Sequence, residues 1–441
     1  MLGAVLSACS DSTDPDDRFE SLTIVADSTR IIVGDSLQLR AYASLDRTLP
    51  LPPELITWTV SEPEIARIDS TGMLHSLAPG VVTVSAAGGA RDSQLQITLV
   101  ADPIISVEAG QASQACALLQ SGRLYCWGAG GGPQFGDSLT DHSPRPLRFP
   151  TTFAFKSVSV GVRHSCGLDA QGTAFCWGEN YFGEIGDGTT RNERHRPTPV
   201  NTAVRFADIT AGDPLTCAVA LDGKLYCWGF YGDAAESATP VLLGEGFSAV
   251  SGGLRHACAL KLDGTAHCWG AGALGNSDAG CGEIMCSDTP VAVDGGMRFK
   301  TVDARGYTGG AVGGVGDTHN CAVRTDDKGI CWEWPPSADS VIAQPLFTEL
   351  GAGAFNCGLT PQGAAYCWGS NSYGQLGIGT VSGYEQRPVP VAGGHTFRGL
   401  TVGGRDACGW TEDDLIYCWG AGAVAPSGGD VTVPRRVRLF E

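Results

Sequence analysis

The chain has 441 residues, of which 62 are glycine and only 17% are charged, a composition typical of a turn-rich all-β protein with more than one domain. The net charge of −18 argues against a nucleic-acid-binding protein, because phosphate backbones are bound by basic surfaces. Seventeen cysteines indicate an oxidising compartment rather than a reducing cytoplasm.

The first 20 residues contain a short apolar segment and then an acidic one. The residues LSAC at 6–9 resemble the lipobox of bacterial lipoproteins, which implies that Cys9 becomes the lipidated first residue of the mature protein. Only eight residues precede Cys9 and none is Lys or Arg, so the alternative is a terminal segment with a spare cysteine. Residues 10–18 are acidic and lack apolar side chains, a composition that indicates a tether. We therefore expect residues 1–20 to place the protein outside the cytoplasm, anchored by lipid to the bacterial outer membrane or cell surface.

Residues 21–101 predict a small β-sandwich. About seven short runs of alternating hydrophobicity lie between turn residues such as Gly34, Gly72 and Gly80. The segments VGD (33–35), ARID (66–69) and PGVVTVSA (79–86), with Trp58 between them, resemble the group 2 bacterial immunoglobulin-like domain. The resemblance implies a spacer or an adhesive stalk. The segment has no cysteine, so we expect a core around Trp58 without a disulfide.

From residue 104 the sequence repeats with a period of about 50 residues. Each unit opens with a short strand, continues with a cysteine pair and Cys-Trp-Gly, and in the best copies adds NYFGEIGDGT (180–189) or NSYGQLGIGT (371–380). The seven units begin near residues 104, 155, 206, 247, 299, 347 and 397.

One unit cannot bury both its faces, so stacked units form a ring or a solenoid, and seven units without a polar capping repeat favour a closed ring. The pattern resembles the regulator of chromosome condensation repeat, which implies a seven-bladed β-propeller over residues 104–441. The predicted fold is therefore all-β, a seven-bladed β-propeller preceded by a small immunoglobulin-like β-sandwich. We expect the two ends of the propeller to meet in or beside one blade.

The cysteines of each unit lie ten residues apart around a central turn, so they should face each other across an antiparallel hairpin. Reduced structural thiols and metal sites are the alternatives, although zinc sites use closer spacings. Each bridge should contribute roughly 2–3 kcal/mol at most. The predicted disulfides are Cys116–Cys126, Cys166–Cys176, Cys217–Cys227, Cys258–Cys268, Cys321–Cys331, Cys357–Cys367 and Cys408–Cys418, together with Cys281–Cys286 inside an insertion.

One tryptophan follows the second cysteine of every unit, and packing between blades explains a large aromatic at a fixed position better than ligand stacking does. These residues are Trp127, Trp177, Trp228, Trp269, Trp332, Trp368 and Trp419. His164, His256 and His319 each precede a cysteine by two residues, which favours structural hydrogen bonds over catalysis.

No catalytic motif is found, and we expect no enzyme activity, no metal and no cofactor. Function in a propeller lies in irregular loops, so the candidate partner-binding residues are Ile284 and Met285 in the 270–288 insertion, Trp334, and the loop aromatics Tyr181, Phe182 and Tyr373. Drift in tolerant loops is the alternative for the 270–288 and 306–319 insertions.

The predicted function is a non-catalytic, lipid-anchored envelope protein whose propeller loops bind a protein of the envelope or cell surface. A carbohydrate- or surface-binding adhesin is the alternative, and an extracytoplasmic hydrolase or lyase is a further one.

Overall fold

The structure is a computed structural model. It describes residues 21–43, 50–129, 142–151, 153–232, 235–272, 274–276, 286–307, 317–333, 340–342, 344–421 and 431–439. The chain divides into two compact units, one ending at Asp102 and the other extending from Pro103 to Leu439. Among the described residues, no helix is both long enough and apolar enough to cross a membrane.

The first unit is a β-sandwich of two four-stranded sheets. Its strands are β1 (Thr23–Ala26), β2 (Arg30–Ile32), β3 (Ser36–Tyr42), β4 (Thr57–Val60), β5 (Ala66–Ile68), β6 (Met73–Ser76), β7 (Gly80–Gly88) and β8 (Arg91–Val100), with a 3₁₀ turn at Pro53–Leu55. One sheet has the order β1-β3-β6-β5 and the other β2-β8-β7-β4, in which β2 and β8 are parallel.

Aliphatic side chains fill the space between the two sheets of the sandwich. Leu39, Leu74, Val82 and Ile97 are each at most 1% exposed. Trp58 packs against this group but is only partly buried, so the core reaches the indole, as expected, without enclosing it. The physical reason is that alternating Val, Ile and Leu from four strands supply enough apolar area without the indole.

The second unit consists of blades, each an antiparallel four-stranded sheet whose strands are neighbours in chain order. Blades 1 to 4 contain β9 (Ile104–Ala109), β10 (Gln114–Leu119), β11 (Leu124–Ala129) and β12 (His142–Arg148); β13 (Phe155–Val160), β14 (His164–Asp169), β15 (Ala174–Gly178) and β16 (Arg194–Pro199); β17 (Phe206–Ala211), β18 (Leu215–Ala220), β19 (Leu225–Phe230) and β20 (Glu236–Gly244); and β21 (Phe247–Gly252), β22 (His256–Lys261), β23 (Ala266–Ala271) and β24 (Cys286–Ala292).

Blades 5 to 7 contain β25 (Phe299–Tyr307), β26 (Asp317–Arg324), β27 (Gly329–Glu333) and β28 (Ser340–Ile342); β29 (Glu349–Gly351), β30 (Phe355–Leu359), β31 (Ala365–Ser370) and β32 (Tyr384–Pro390); and β33 (Gly399–Val402), β34 (Asp406–Trp410), β35 (Ile416–Gly420) and β36 (Val431–Val437). The second and third strands of every blade are almost entirely buried, as expected for sheets that are covered on both faces.

The repeated cysteines pair across the second and third strands. In blade 3, for example, Cys217 lies directly opposite Cys227 with a Cα–Cα distance of 4.1 Å, which is the close spacing of a non-hydrogen-bonded antiparallel pair. A disulfide joins the two cysteines in each of the pairs Cys116–Cys126, Cys166–Cys176, Cys217–Cys227, Cys258–Cys268, Cys321–Cys331, Cys357–Cys367 and Cys408–Cys418.

The repeated tryptophans lie between neighbouring blades. Each of the seven is at most 6% exposed. Trp228 of blade 3 packs with Cys166, Leu168 and Ile185 of blade 2, and its indole N–H donates to the carbonyl oxygen of Glu184 at 2.8 Å. The indole of one blade therefore supports a loop of the blade before it.

Polar side chains of the first strands join the blades around the central channel. Ser159 Oγ accepts the N–H of Ala211 in the next blade, and Thr210 Oγ1 accepts that of Gly252 in the blade after it. Arg305 of blade 5 reaches further, because its guanidinium donates to the carbonyl oxygens of Ala109 in blade 1 and Val402 in blade 7, at 2.9 and 2.5 Å. One side chain thus ties together three blades.

Blade 1 packs directly against blade 7, and each has its own four strands. Thr401 Oγ1 accepts the N–H of Ala109 at 3.0 Å, while Asp414 Oδ1 accepts the N–H of Ile104 at 3.0 Å. The two ends of the propeller lie side by side, and the ring closes without exchange of a strand between the first and last blades.

The blades end in two different rims. The turn rim carries the short turns between second and third strands, such as those at Asp222 and Asp263. The loop rim carries the connections between first and second strands and between third and fourth strands, which vary in length from blade to blade. Because the strands of each blade alternate in direction, these two sets of connections lie at opposite ends of the sheet.

Candidate binding groove on the loop rim

Blades 2, 3 and 4 together form a groove on the loop rim. Its volume is about 330 Å³, within the range of small ligand sites, and it is open to solvent. The lining residues are Arg163, Glu179, Tyr181, Phe182, Glu184, Asp213, Pro214 and Arg255. The groove therefore combines aromatic side chains with charges of both signs.

The loop that follows β15 forms one wall of the groove and is held by its own hydrogen bonds. The side-chain oxygen of Asn180 accepts the N–H of Ile185 at 3.0 Å, and its amide donates to the carbonyl oxygen of Thr189 at 3.1 Å. Gly186, at φ 74°, leaves space for Trp228, since a Cβ there would lie 2.7 Å from the indole nitrogen. These contacts fix the loop before any ligand arrives.

The two other connections that line the groove are hydrogen-bonded to each other. The N–H of Asp213 donates to the carbonyl oxygen of Gly253 at 2.9 Å, and the N–H of Arg255 donates back to the carbonyl oxygen of Asp213 at 2.8 Å. The floor of the groove is therefore a continuous backbone network that spans blades 3 and 4.

The aromatic side chains stand at the solvent side of the groove. Tyr181 is 58% exposed, and its ring centroid lies 4.9 Å from that of Phe182. Phe182 in turn lies 5.7 Å from Phe230 of blade 3. The guanidinium of Arg191 lies 5.8 Å from the Tyr181 centroid and that of Arg255 lies 5.7 Å from the Phe230 centroid, which are cation–π distances.

The charged side chains of the groove are unequally paired. Arg163 Nη1 lies 3.4 Å from Glu179 Oε2. Burial raises the pKa of Asp213, while the nearby guanidiniums of Arg163 and Arg255 act in the opposite direction. Burial also raises the pKa of Glu184, to about 7, although the N–H of Phe182 donates to Glu184 Oε2 at 2.8 Å. Glu184 thus changes charge near neutral pH.

Blade 6 repeats this loop with one informative difference. The side-chain oxygen of Asn371 accepts the N–H of Leu376, and its amide donates to the carbonyl oxygen of Thr380. Asn180 makes the same two hydrogen bonds in blade 2. The residue equivalent to Glu184 is Gln375, whose amide oxygen accepts the N–H of Tyr373 at 2.8 Å. The loop therefore accepts a neutral amide at this position, and in blade 2 a carboxyl group occupies the same place.

The structure distributes the predicted partner-binding residues unevenly. Tyr181 and Phe182 lie in the groove, and Tyr373, 37% exposed, stands on the loop rim of blade 6 beneath the guanidinium of Arg405 at 4.8 Å. Ile284, Met285, Trp334 and Cys9 lie outside the described residues. Cys286 is buried at the start of β24 and disulfide-bonded, while its predicted partner Cys281 is also outside the described residues.

The repeated histidines make structural contacts where the structure describes them. His164 Nε2 lies 2.7 Å from Thr216 Oγ1 in the next blade, and His256 Nε2 lies 2.9 Å from Asn320 Oδ1. His319 lies close to the sulfur atoms of Cys321 and Cys331, a grouping that a metal could use only if both were thiolates. The disulfide between them removes that option.

Sequence reasoning missed the charged residues of the groove. Glu184 and Asp213 come from connections 29 residues apart, and Arg163 and Arg255 come from different blades, so no local motif joins them. Two signals were available in the repeats. Arginine precedes the second strand in blades 2, 4 and 7, at Arg163, Arg255 and Arg405, and Glu replaces Gln in one of the two well-preserved loops.

Comparison with known proteins identifies both parts of the chain. Models of the regulator of chromosome condensation (RCC1) repeat match residues 121–168, 171–219 and 362–404, and a second RCC1 repeat model matches 155–184 and 247–276. The model of the group 2 bacterial Ig-like domain matches residues 18–99.

Two curated relatives align with most of this chain. The chain is 26% identical to the human E3 ubiquitin-protein ligase HERC2 over 330 residues, which is 69% of this chain but only 6% of the ligase. It is 25% identical to the Ultraviolet-B receptor UVR8 of Arabidopsis thaliana over 355 residues, which is 74% of this chain and 67% of the receptor.

A solved structure supports the fold alone. Prp20p from Saccharomyces cerevisiae superimposes with a TM-score of 0.61 at 20% sequence identity, over 71% of this chain and 85% of that one. The blades, the repeat matches and this likeness agree, and the chain is accordingly an RCC1-repeat β-propeller protein with an N-terminal group 2 bacterial immunoglobulin-like domain.

Proposed function

We propose that this protein is a non-catalytic protein-binding module of the bacterial envelope and that the groove on blades 2 to 4 is its contact site. The observation that carries the proposal is the groove itself, in which exposed Tyr181 and half-buried Phe182 stand above the buried carboxyl group of Glu184 on loops fixed by hydrogen bonds. Aromatic anchors over a preorganised polar base are typical of the energetic centres of protein interfaces.

A relative of the same fold supports a protein partner in general. Yeast Prp20p has binding properties to Gsp1p and histones, and it has also been solved with Kap60 bound. All of these partners are proteins. We transfer to this chain only the class of partner, because identity at 20% supports the fold and not a shared binding surface.

Three features support a location outside the cytoplasm. The repeat disulfides require an oxidising compartment in order to persist. The immunoglobulin-like domain matches a bacterial family, and Cys9 lies in a lipobox-like sequence. Expression of the full chain in a bacterial host with labelled palmitate tests the anchor: we expect label in the membrane fraction and none in Cys9→Ser.

The binding test compares the two rims. Full-length protein is immobilised and exposed to envelope proteins and glycans, next to the double variant Tyr181→Ala/Phe182→Ala. The matched control is Leu221→Ala/Leu262→Ala, which truncates two side chains on the turn rim that are 67% and 76% exposed. We expect one protein to be retained by the wild type and by the control and to be lost with the groove variant.

Other outcomes would contradict the proposal. Retention of the protein by the groove variant would place the contact elsewhere. Retention of polysaccharide without any protein would favour the adhesin, which would use exposed aromatics such as Tyr373 and Tyr384 on the same rim.

A further inference from the structure

We infer that the groove binds a cationic side chain of the partner, a lysine ammonium or an arginine guanidinium, and that Glu184 is its counter-ion. This inference rests on the proposed function and names the chemistry that the groove recognises. It follows from the charges of the lining residues, the burial of Glu184 and the position of the aromatic rings.

The groove has more negative than positive groups. Glu179, Glu184 and Asp213 are the acidic lining residues and Arg163 and Arg255 the basic ones, while the guanidinium of Arg191 lies over the ring of Tyr181. Glu179 is paired with Arg163, and both arginines act on Asp213. Among the described residues neither Glu184 nor Asp213 forms an ion pair, but the two arginines lower the pKa of Asp213, whereas the charges of Asp213 and Glu179 raise that of Glu184. Glu184, only 4% exposed, is therefore a deeply buried carboxylate of the groove that has acids as its charged neighbours.

Hydrogen bonds fix both the carboxylate and the backbone of Glu184. It is only 4% exposed, and one carboxylate oxygen is fixed by the N–H of Phe182. Its carbonyl oxygen accepts bonds from Thr216 Oγ1 at 2.7 Å and from the Trp228 indole at 2.8 Å. A buried, immobile carboxylate without a counter-ion gains more from an arriving cation than an exposed one does, because solvent screens it less.

The rings beside Glu184 favour a cation over an anion. Tyr181 and Phe182 present aromatic faces at the mouth of the groove, and within this protein arginines already lie over Tyr181 and Phe230. An anion that approached Arg163 would meet Glu179, which lies 3.4 Å from the guanidinium, and an anion that approached Arg255 would meet the nearby carboxyl group of Asp213. The groove therefore selects positive charge.

Binding of a cation should depend on pH. Burial and the charges of Asp213 and Glu179 raise the pKa of Glu184 to about 7, and a cation binds best to the ionised form. The charged and titratable groups that surround Glu184 are Glu179 and Tyr181 of its own loop, Arg163 and His164 of blade 2, Asp213 of blade 3 and Arg255 of blade 4. His164 stays neutral, because burial lowers its pKa to about 3.

The test uses acetylated and amidated tripeptides as probes, Gly-Arg-Gly and its neutral isostere with citrulline, titrated into the full-length protein by NMR. At pH 8 we expect the arginine peptide to bind more tightly than the citrulline peptide. At pH 6 its affinity should be about tenfold lower, since most of Glu184 is then protonated. The citrulline peptide should show no such change.

Two variants locate the effect. Glu184→Gln should fold normally, because blade 6 places Gln375 in the same position, and it should remove both the preference for arginine and the pH dependence. Gln375→Glu, the reverse change on blade 6, should leave binding in the groove unaltered. A thermal midpoint at pH 4 equal to that of the wild type verifies the fold of Glu184→Gln, because Glu184 is protonated there in both the folded and the unfolded state.

Equal affinity for the arginine and citrulline peptides would overturn the inference, as would a pH dependence that survives in Glu184→Gln or tighter binding of Gly-Glu-Gly. These failures differ from failure of the proposed function. If no tripeptide binds but the partner is still lost with Tyr181→Ala/Phe182→Ala, the groove binds protein and Glu184 is not its counter-ion.

Discussion

Carboxylates in the hairpin turns of the turn rim differ from those in the groove, although the loop rim also holds one matched pair, Asp187 with Arg194 at 2.5 Å. On the turn rim, Asp263 accepts the hydroxyl of Thr265 at 2.6 Å and its N–H at 2.9 Å, and it pairs with Arg298 at 2.7 Å. The Thr265 hydroxyl and then Arg298 hold the pKa of Asp263 well below its usual range. Asp222 does the same with Lys224. In the groove, Glu184 is buried and Asp213 is half-buried, and burial raises the pKa of each.

The difference separates structural acids from acids that are available to a ligand. A turn-rim aspartate stabilises its own hairpin, and its charge is matched within a few residues. Glu184 costs stability when it ionises, and no described residue forms an ion pair with it. The turn-rim aspartates are therefore matched within or beside their own hairpins, whereas Glu184 and Asp213 in the groove have no ion pair among the described residues.

The largest effect is expected when the support beneath the groove is removed. Trp228→Ala should lower the free energy of unfolding by about 3–5 kcal/mol, because a fully buried indole is lost between blades 2 and 3. It should also weaken binding of the arginine peptide, since the indole N–H no longer holds Glu184. Denaturant unfolding and NMR titration measure the two effects.

The matched control for Trp228→Ala is Trp419→Ala in blade 7, which removes an equivalent buried indole away from the groove. It should lose a similar amount of stability and retain peptide binding. If both variants lose binding in proportion to stability, the loop rim does not depend on local support from Trp228.

A second, smaller effect concerns the scaffold that both rims share. The double variant Cys217→Ser/Cys227→Ser should lose about 2–3 kcal/mol, because each bridge closes a loop over a sequence separation of 10. Cys408→Ser/Cys418→Ser removes a disulfide that closes a loop of the same size in blade 7, so it should lose a comparable amount of stability. Denaturant unfolding with and without reductant measures the contribution of the disulfides to stability. If reductant left the stability of the wild type unchanged, the predicted contribution would be contradicted.

A third effect, on the pH dependence of stability, arises from the raised pKa of Glu184. Its stabilising effect is fully present below the unfolded-state pKa and is lost as pH rises through about 7. Glu184→Gln should therefore be about 1–3 kcal/mol more stable than the wild type at pH 8 and equally stable at pH 4. Equal stability of the two proteins at pH 8 would show that Glu184 ionises without cost.

The smallest effect concerns Asp263, whose contribution to stability should increase with pH, opposite to that of Glu184. Asp263→Asn keeps an oxygen for the N–H of Thr265 but removes the ion pair with Arg298. Because the pKa of Asp263 is lowered, its stabilising effect is present above the unfolded-state pKa and is lost as pH falls. We expect a decrease of no more than about 2 °C in the thermal midpoint at pH 7, smaller in high salt. A gain in midpoint at pH 7 would break the contrast between the rims.

Much of the scaffold could be predicted from sequence because it depends on local pattern. The ten-residue interval with a central turn is enough to place Cys217 opposite Cys227, and the recurrence of Trp after the second cysteine indicates a shared packing position. The strand β2 was not predicted, because a strand of three residues is too short to show a hydrophobic period. It forms by parallel pairing with β8, whose paired residues lie 68 positions later in the chain.

The candidate site could be predicted only in part. Tyr181 and Phe182 were identified from their irregular loop, but the burial of Glu184 depends on Trp228 and Thr216 of the next blade, and the guanidiniums come from two further connections. Nothing in the sequence around Glu184 distinguishes a carboxylate in a matched ion pair from one without a cation. That distinction arises from the distances between blades, which only the folded ring determines.

The contacts of Arg305 and Thr401 also bear on how the chain is made. The N–H of Ala109 is bonded to Thr401, 292 residues later, and the carbonyl oxygen of Ala109 is bonded to Arg305, 196 residues later. Blade 1 therefore keeps an open edge until blade 7 has formed, wherever the chain folds. A chain truncated before blade 7 should remain open and prone to aggregation.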